Sequence, residues 1–299
     1  MKKLGSIQVN EHSMETRQHG NFAFPLQAYL DDYDSYDVGR VIWHWHTELE
    51  IGIVRKGKVR VTVPNSQFDL SQGDGFFINS NVLHMFEPLK RDSVSFSLVF
   101  SLGLIGGHIG AIVQQKYVDP ILQCKQFPAL IIKGNQPWHE LLLHDLNCLN
   151  ELCETSKDGY ELAVTSTLLT FWHTMYEHTQ PLLENPSDTV LEKDNDRIKC
   201  MIEYIHKHYA ENISLGDIAQ SAYLSVSECC RTFKRSLQTT PFDYLTKHRL
   251  SCATKSLQSG ATIQDAYIQA GYNSQSYFGK QFKRLYGCTP REYQMKINL

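Results

Sequence analysis

The 299-residue chain has no CxxC pair and no cysteine spacing of the zinc-finger or disulfide type; its eight cysteines are scattered, with Cys229 and Cys230 adjacent. Free thiols in a reducing compartment are therefore expected. Met1-Lys2-Lys3 leads into polar Gln8, Asn10, Glu11 and His12, with no apolar stretch of the kind a secretory signal needs. The most apolar run, 98–113, is broken by Ser101, His108 and four glycines. It also falls short of the ~20 residues that span a bilayer. A cytoplasmic protein without a membrane partner is the expectation. Composition excludes the fibrous and disordered classes, since 42% hydrophobic and 20% charged residues are ordinary for globular domains.

Charge is present but unevenly placed. Residues 196–299 carry 14 Lys+Arg against 8 Asp+Glu, a net +6, while residues 1–195 carry 15 against 24, a net −9. A basic C-terminal third beside an acidic remainder suits a nucleic-acid-binding unit joined to something else.

Between Val41 and about Phe100 the pattern has period two: Val59, Val61 and Val63 alternate with Arg60 and Thr62, and Pro64-Asn65-Ser66 and 71–75 supply turns. Short strands at this spacing predict a small antiparallel β-barrel or sandwich. From Trp138 the period becomes helical. Trp138, Leu142, Leu146, Leu149 and Cys153 mark one stripe, and Leu162, Leu169, Trp172 and Tyr176 a second. Asp158-Gly159 lies between them, which predicts a helical hairpin. Leu142, Leu146, Leu149 and Leu169 exceed what a small barrel obviously needs, so a homodimer through 138–178 is expected. Residues 181–196 are acidic and proline-containing and predict a linker between domains 1–180 and 197–299.

The second domain repeats itself. Phe233-Lys234-Arg235 recurs 49 positions later as Phe282-Lys283-Arg284, and Ser225, Thr240-Pro241 and Tyr244 recur as Ser274, Thr289-Pro290 and Tyr293. One offset shared by aromatic, basic and proline positions implies two copies of one helical unit. In copy one, Ser214 and Asp217 have capping-box spacing, and Ser225 or Ser227 can cap the next helix. That helix turns Cys229, Phe233 and Leu237 inward and Ser227, Cys230, Arg231 and Lys234 outward. In copy two Phe278 and Phe282 are inward, while Ser276, Tyr277, Gly279, Lys280 and Lys283 are exposed. Helical character over 242–258 makes a spacer of about 25 Å, so two recognition helices can meet one face of duplex DNA about one turn apart.

Residues 198–299 resemble the tandem helix-turn-helix domain of the AraC/XylS transcription regulators. Gly271-Tyr272, Ser276-Tyr277-Phe278, Phe282-Lys283, Gly287, Thr289-Pro290 and Tyr293 carry the likeness. It implies that Ser227, Cys230 and Arg231, then Ser276, Tyr277, Gly279 and Lys280, face bases. Arg231 suits guanine, and Lys234 and Lys283 suit phosphates. Two positions depart from the family: Ala266-Tyr267 replaces Ile-Ala, and Gln238 stands where copy two has Gly287.

In the first domain, His44-x-His46-x3-Glu50 is followed at a distance by His84. His44 and His46 share a strand face, and Glu50 and His84 can join them inside a barrel. Three nitrogens and one carboxylate suit a first-row divalent metal. The pattern resembles the two cupin motifs, with Asn79 and Asn81 where the second usually has Pro and Gly. Three readings stay open: a metal site, a metal-free effector pocket, and structural histidines. Trp43 and Trp45 add aromatic surface to the expected pocket, suited to stacking on a sugar.

The resemblances together imply a cupin-like sensor plus helical hairpin joined to an all-α tandem helix-turn-helix domain. The function implied is a ligand-responsive transcription regulator that is not an enzyme and requires no cofactor. Its partners would be double-stranded DNA, a small effector such as a sugar, RNA polymerase and a second copy of itself. The alternative is a metal-dependent cupin enzyme with an accessory DNA-binding domain.

Overall fold

A computed structural model describes the chain except residues 4, 11, 12, 109, 125, 185–188, 238, 298 and 299, and the side chains of 184, 189–195, 296 and 297. Two compact units divide between Lys193 and Asp194, within the expected linker. Met1–Asn10 with Met14–Lys193 form the first, and Asp194–Leu299 form the bulk of the second.

Strands of the first unit are β1 (Lys2–Lys3), β2 (Leu26–Asp32), β3 (Val41–His44), β4 (Leu49–Lys56), β5 (Lys58–Val63), β6 (Ser66–Ser71), β7 (Gly75–Ile78), β8 (His84–Pro88), β9 (Val94–Phe100) and β10 (Ala129–Ile132). Among the described residues they form a six-stranded sheet, β1-β2-β9-β4-β7-β10, and a four-stranded sheet, β3-β8-β5-β6. Pairing is antiparallel apart from β1 with β2. Gly57 turns β4 into β5 at φ +80°, and a Cβ there would meet Ser93 Oγ at 2.4 Å, so this hairpin requires glycine.

Strand parity assigns the two faces of the larger sheet. Leu49, Ile51 and Ile53 of β4 and Phe96, Leu98 and Phe100 of β9 pack into one core with the helices. Val54 of β4 and Phe76 of β7 pack instead with Val59, Val61 and Val63 of β5 between the sheets. Covered on both faces, β4 is buried from Leu49 to Val54. Glu50 is the charged member of that run and faces the gap between the sheets.

Short helices α1 (Gly103–Gly106) and α2 (Asp119–Gln123) follow β9, with a π-helical turn at Gln114–Val118 between them. The hairpin is α3 (Pro137–Thr155) and α4 (Tyr160–Glu184), joined through Gly159 at φ +80°. Leu142, Leu146 and Leu149 are wholly buried against the six-stranded sheet, so they are intramolecular core and not a dimer interface. The expected stripe on α4 is only half in the core: Trp172 is buried and Tyr176 packs against it. Leu162 and Leu169 are 78% and 42% exposed, whereas Val164, Leu168, Phe171, Trp172 and Met175 are buried. Apolar residues lie on more than one side of α4, and packing against α3 selects the buried side. The expected linker is helical where described: Pro181 lies inside α4, and α5 (Thr189–His208) begins eight residues later. Good helix formers such as Leu191, Glu192 and Lys193 extend the helix that Ile198, Met201, Ile202 and Ile205 anchor by burial.

The second unit continues with α6 (Leu215–Ser221), α7 (Val226–Leu237), α8 (Pro241–Gln258), α9 (Ile263–Gln269), α10 (Gln275–Tyr286) and α11 (Pro290–Ile297). The duplication is visible in its caps. Ser225 accepts from Glu228 N at 3.2 Å and Ser274 from Tyr277 N at 3.3 Å; Thr240 accepts from Asp243 N at 3.1 Å and Thr289 from Glu292 N at 3.2 Å. Ser214 and Asp217 complete the capping box. Tyr267 sits half-buried at the edge of the Phe278 cluster while Ala266 takes the buried position, so the aromatic replacement is accommodated. Gly271, at φ +75°, lies where a Cβ would come within 2.8 Å of the backbone of Tyr209 and Ala210. Gln238 lies outside the described residues.

All four tryptophans, at 43, 45, 138 and 172, belong to the first unit, so intrinsic fluorescence reports its unfolding selectively. Leu146→Ala is expected to destabilise that unit by about 2–5 kcal/mol. Its urea midpoint should not depend on protein concentration. A concentration-dependent midpoint would return Leu146 to an interface between chains.

Candidate functional site

The four-residue constellation assembles between the two sheets. His44 ends β3 and lies opposite His84, the first residue of β8, with ring centroids 4.2 Å apart. His46 follows two residues later on the same face, and Glu50 enters from β4 of the opposing sheet. Their nearest ligand atoms all lie within 4.8 Å of one another, and all four residues are buried.

Each ring is fixed by its Nδ1. His44 donates to Ile42 O at 2.9 Å, His84 to Val82 O at 2.8 Å and His46 to Glu48 O at 3.2 Å. A carbonyl oxygen only accepts, so Nδ1 carries the proton and Nε2 turns inward in all three. Backbone anchoring of this kind sets the tautomer of metal-binding histidines. Glu50 Oε2 lies 3.3 Å from His46 Nε2 and 3.1 Å from His84 Nε2. The second approach lacks hydrogen-bond geometry, and His84 Nε2 is buried without a hydrogen-bond partner. Burial raises the Glu50 carboxyl, but His46 and His84 outweigh it and hold the group below the usual carboxylate range. Burial, then the charge of His84, push His44 down to about 3, so this ring is neutral near pH 7.

A second set of polar groups lines the same cavity and has no counterpart in the cupin-like pattern. Glu15 Oε2 lies 3.4 Å from His19 Nε2 and 3.9 Å from His44 Nε2, and Glu15 Oε1 is ion-paired with Arg17 Nη1 at 3.5 Å. Glu15 N donates to Trp45 O at 2.9 Å, which fixes the segment against β3. Asp31 of β2 accepts from Tyr36 Oη at 2.6 Å and Ser97 Oγ at 2.8 Å. Burial pushes its carboxyl up to about 6 against those hydrogen bonds. Trp43 and Trp45, expected in the pocket, do not line it. They alternate with His44 and His46 and so point away. Asn81 takes φ +60° where the motif usually has glycine, a conformation asparagine tolerates. Asn79 donates to Ile121 O at 2.8 Å and Phe127 O at 3.1 Å.

The expected DNA-facing side chains lie on one helix in each copy. On α7, Ser227, Arg231 and Lys234 are exposed and Cys230 is half-buried; on α10, Ser276, Tyr277, Lys280 and Lys283 are exposed and Gly279 is half-buried. Phe233, Phe278 and Phe282 anchor the opposite faces. Arg231 is paired with Glu228 one turn earlier. Arg249 of α8 instead donates to Tyr209 O at 2.6 Å and Glu211 O at 2.7 Å, so part of the basic excess is structural.

The AraC-like ligand binding domain matches residues 32–123, which hold His44, His46, Glu50 and His84. A helix-turn-helix domain matches residues 218–296, which hold α7 and α10. The uncharacterized HTH-type transcriptional regulator YdeC of Bacillus subtilis is 30% identical over 292 residues, covering 97% of this chain and 98% of its own. This chain belongs to the AraC family of transcription regulators. The probable transcriptional regulator LumQ of Photobacterium leiognathi is 26% identical over 259 residues, 85% of this chain and 92% of its own. Among solved structures, ToxT of Vibrio cholerae bound to (E)-4-(8-methylnaphthalen-1-yl)but-3-enoic acid aligns over 91% of this chain and 99% of its own. Its identity of 13% and TM-score of 0.43 are too low to bear on function. As an AraC-type protein, the chain is a ligand-responsive DNA-binding regulator, with a sheet-rich ligand domain and a helical DNA-binding domain. No described helix is long and apolar enough to cross a membrane.

The Asp31 carboxyl gives a pH test. Its folded value, about 6, stands above an ordinary 3.8, so the folded state holds the proton more tightly. Its contribution is therefore intact below about pH 4 and is lost as pH rises to about 6. Asp31→Asn keeps an acceptor for Tyr36 and removes the titration. In chelator-treated protein the variant should gain on wild type between pH 4 and 6, reaching on the order of 2 kcal/mol by pH 7. A difference that does not change with pH would show that Asp31 is not held protonated.

Proposed function

We propose that the pocket formed by His44, His46, Glu50 and His84 is the effector site of this regulator, and that α7 and α10 read its operator. The observation that carries the proposal is the convergence of three Nδ1-anchored imidazoles on a buried carboxylate. Burying such groups is costly unless a ligand satisfies them, and an effector that does so can favour one conformation over another. His44, His46 and Glu50 line a cavity of about 20 Å³, room for one or two water-sized species. Its size, and the absence of Trp43 and Trp45 from its wall, favour a compact polar or ionic effector over a sugar. A catalytic reading requires a substrate beside the histidines, and so small a cavity favours regulation instead.

On the DNA side, Arg231 is assigned to a guanine, with Ser227, Cys230, Ser276, Tyr277, Gly279 and Lys280 against the base edges. Lys234 and Lys283 are assigned to phosphates. Glu228 holds the Arg231 guanidinium before DNA arrives. The protein is assigned to the cytoplasm, where its operator and RNA polymerase are. A homodimer would use the outward side of α4, where Leu162 and Leu169 lie seven residues apart.

The test begins by selecting an operator from random duplexes with the full-length chain. Arg231→Ala should lose about 1–3 kcal/mol on the selected duplex and much less on random DNA. Lys283→Ala should weaken both alike, with a shallower salt dependence. The same specific-to-random ratio in both variants would overturn the assignment. In a reporter strain carrying the selected operator, His46→Ala should make output insensitive to growth conditions that move the wild type, while retention of the operator persists in vitro. A normal response in that variant would remove the pocket from the signal path.

A further inference from the structure

Helix α8 joins the two helix-turn-helix copies. Its first half packs on copy one, where Tyr244 meets Phe233 edge-on with ring centroids 6.0 Å apart and Leu245 is buried. Its second half packs on copy two, where Leu250, Ala253 and Leu257 share one core with Phe278 and Phe282. Arg249 stands at the changeover. A helix with a unit at each end fixes their separation along its axis. Apolar contacts are non-directional, so holding each unit's rotation about that axis calls for directional contacts.

Arg249 supplies them. Its Nε donates to Tyr209 O at 2.6 Å and its Nη2 to Glu211 O at 2.7 Å. Both carbonyls follow the last turn of α5, where backbone acceptors lack helical partners and positive charge is favoured. Ser214, the cap of α6, comes three residues after Glu211, so the guanidinium holds the entry to copy one. Its Cζ also lies over the Tyr272 ring, 5.7 Å from the centroid, in the turn between α9 and α10. Gly271 beside it takes φ +75°, and a Cβ there would meet the Tyr209 carbonyl oxygen and the Ala210 backbone at 2.8 Å. Tyr272 in turn packs on Tyr277 in the first turn of α10, with ring centroids 6.1 Å apart. One guanidinium therefore ties the loop entering copy one to the turn that aims the recognition helix of copy two. A planar fork with a stacking face can do both, and a lysine ammonium cannot.

We infer that Arg249 is a positioning residue for operator recognition: with Gly271 and Tyr272 it fixes the rotation of α10 relative to α7, and so sets the spacing of the sequence elements that the protein accepts. This rests on the reading of α7 and α10 as the helices that meet the operator. Arg249 itself contacts protein backbone and not a base. One base pair inserted between the elements moves the second by about 3.4 Å and turns it by roughly 34–36°, a step that a fixed pair of helices does not follow.

The test repeats the operator selection with full-length wild type, Arg249→Met and Arg249→Lys. For wild type, two elements per bound chain are expected at one spacing, and the element that Arg231→Ala relaxes belongs to α7. Inserting one base pair between them should weaken wild-type binding about 10-fold or more, because one helix loses its base contacts. With Arg249→Met both elements should persist over two or more spacings, and the insertion should cost about 3-fold or less. Arg249→Lys, which keeps the charge and the stem, should fall between, and it decides the matter if Arg249→Met does not fold. Lost stability alone would weaken binding to both duplexes alike; an unchanged ratio between them would overturn the inference. So would a wild-type protein indifferent to the insertion, a measurement in which folding of a variant is not at issue. If Arg231→Ala relaxes its element while spacing does not respond to Arg249, reading by α7 and α10 stands and only the positioning role falls.

Discussion

A carboxylate buried between two sheets sets the terms for the N-terminal unit. Glu50 belongs to β4, a strand covered on both faces, and parity turns it away from the helical hairpin and toward the four-stranded sheet. An ion there is not tolerated for nothing. The neighbouring positions are arranged around it: His46 and His84 come within hydrogen-bond range, and backbone carbonyls of residues 42, 48 and 82 hold three rings with Nε2 toward the gap. Replacing the set by apolar residues would make a better core. A sheet pair that retains it is stabilised less than it could be, and the unsatisfied groups are where binding free energy can be gained.

The pocket was only partly legible in the sequence. His44, His46, Glu50 and His84 follow from spacing because strand parity and two turns bring them together. Parity also places Trp43 and Trp45 on the opposite face, so the residues themselves argued against the aromatic pocket wall. Glu15, His19 and Asp31 were not legible. Glu15 reaches the site because its N–H pairs with Trp45 O, a contact across 30 positions that no periodicity announces. The hairpin shows the same limit. Both helices were readable, yet α4 is apolar on several sides, and packing against α3 buried Leu168, Phe171 and Met175 while leaving Leu162 and Leu169 outside.

The C-terminal unit was far more legible because its information is local. Capping residues, the inward Phe positions and the basic last turns of α7 and α10 each depend on neighbours three or four positions away. A duplicated local pattern then checks itself. Lys234 and Lys283 sit at equivalent places, near helix C-termini where a positive charge is favoured in any case. Their recurrence alone therefore says less about DNA than that of exposed Ser227 and Ser276 near the first turns, where the helix dipole gives no reason for exposure.

A regulator differs from a tight binder in what its ligand must do. However strong, affinity shared by two conformations moves neither; only the difference between them counts. Three histidines and Glu50, fixed on strands by backbone hydrogen bonds, would contribute nearly equally in any state that preserves the sheets. Glu15 is different in kind. It lies outside the named strands, in a segment bridged to Trp45 at Met14 and to Val9 at Glu15, and an effector that draws in its carboxylate ties that segment down. A coupling of 1–3 kcal/mol is typical of allosteric proteins, and one charge-assisted ligand at the rim of an otherwise preformed site is of that order. The strands of the site thus supply affinity and selectivity for the effector, and the segment outside them supplies the response.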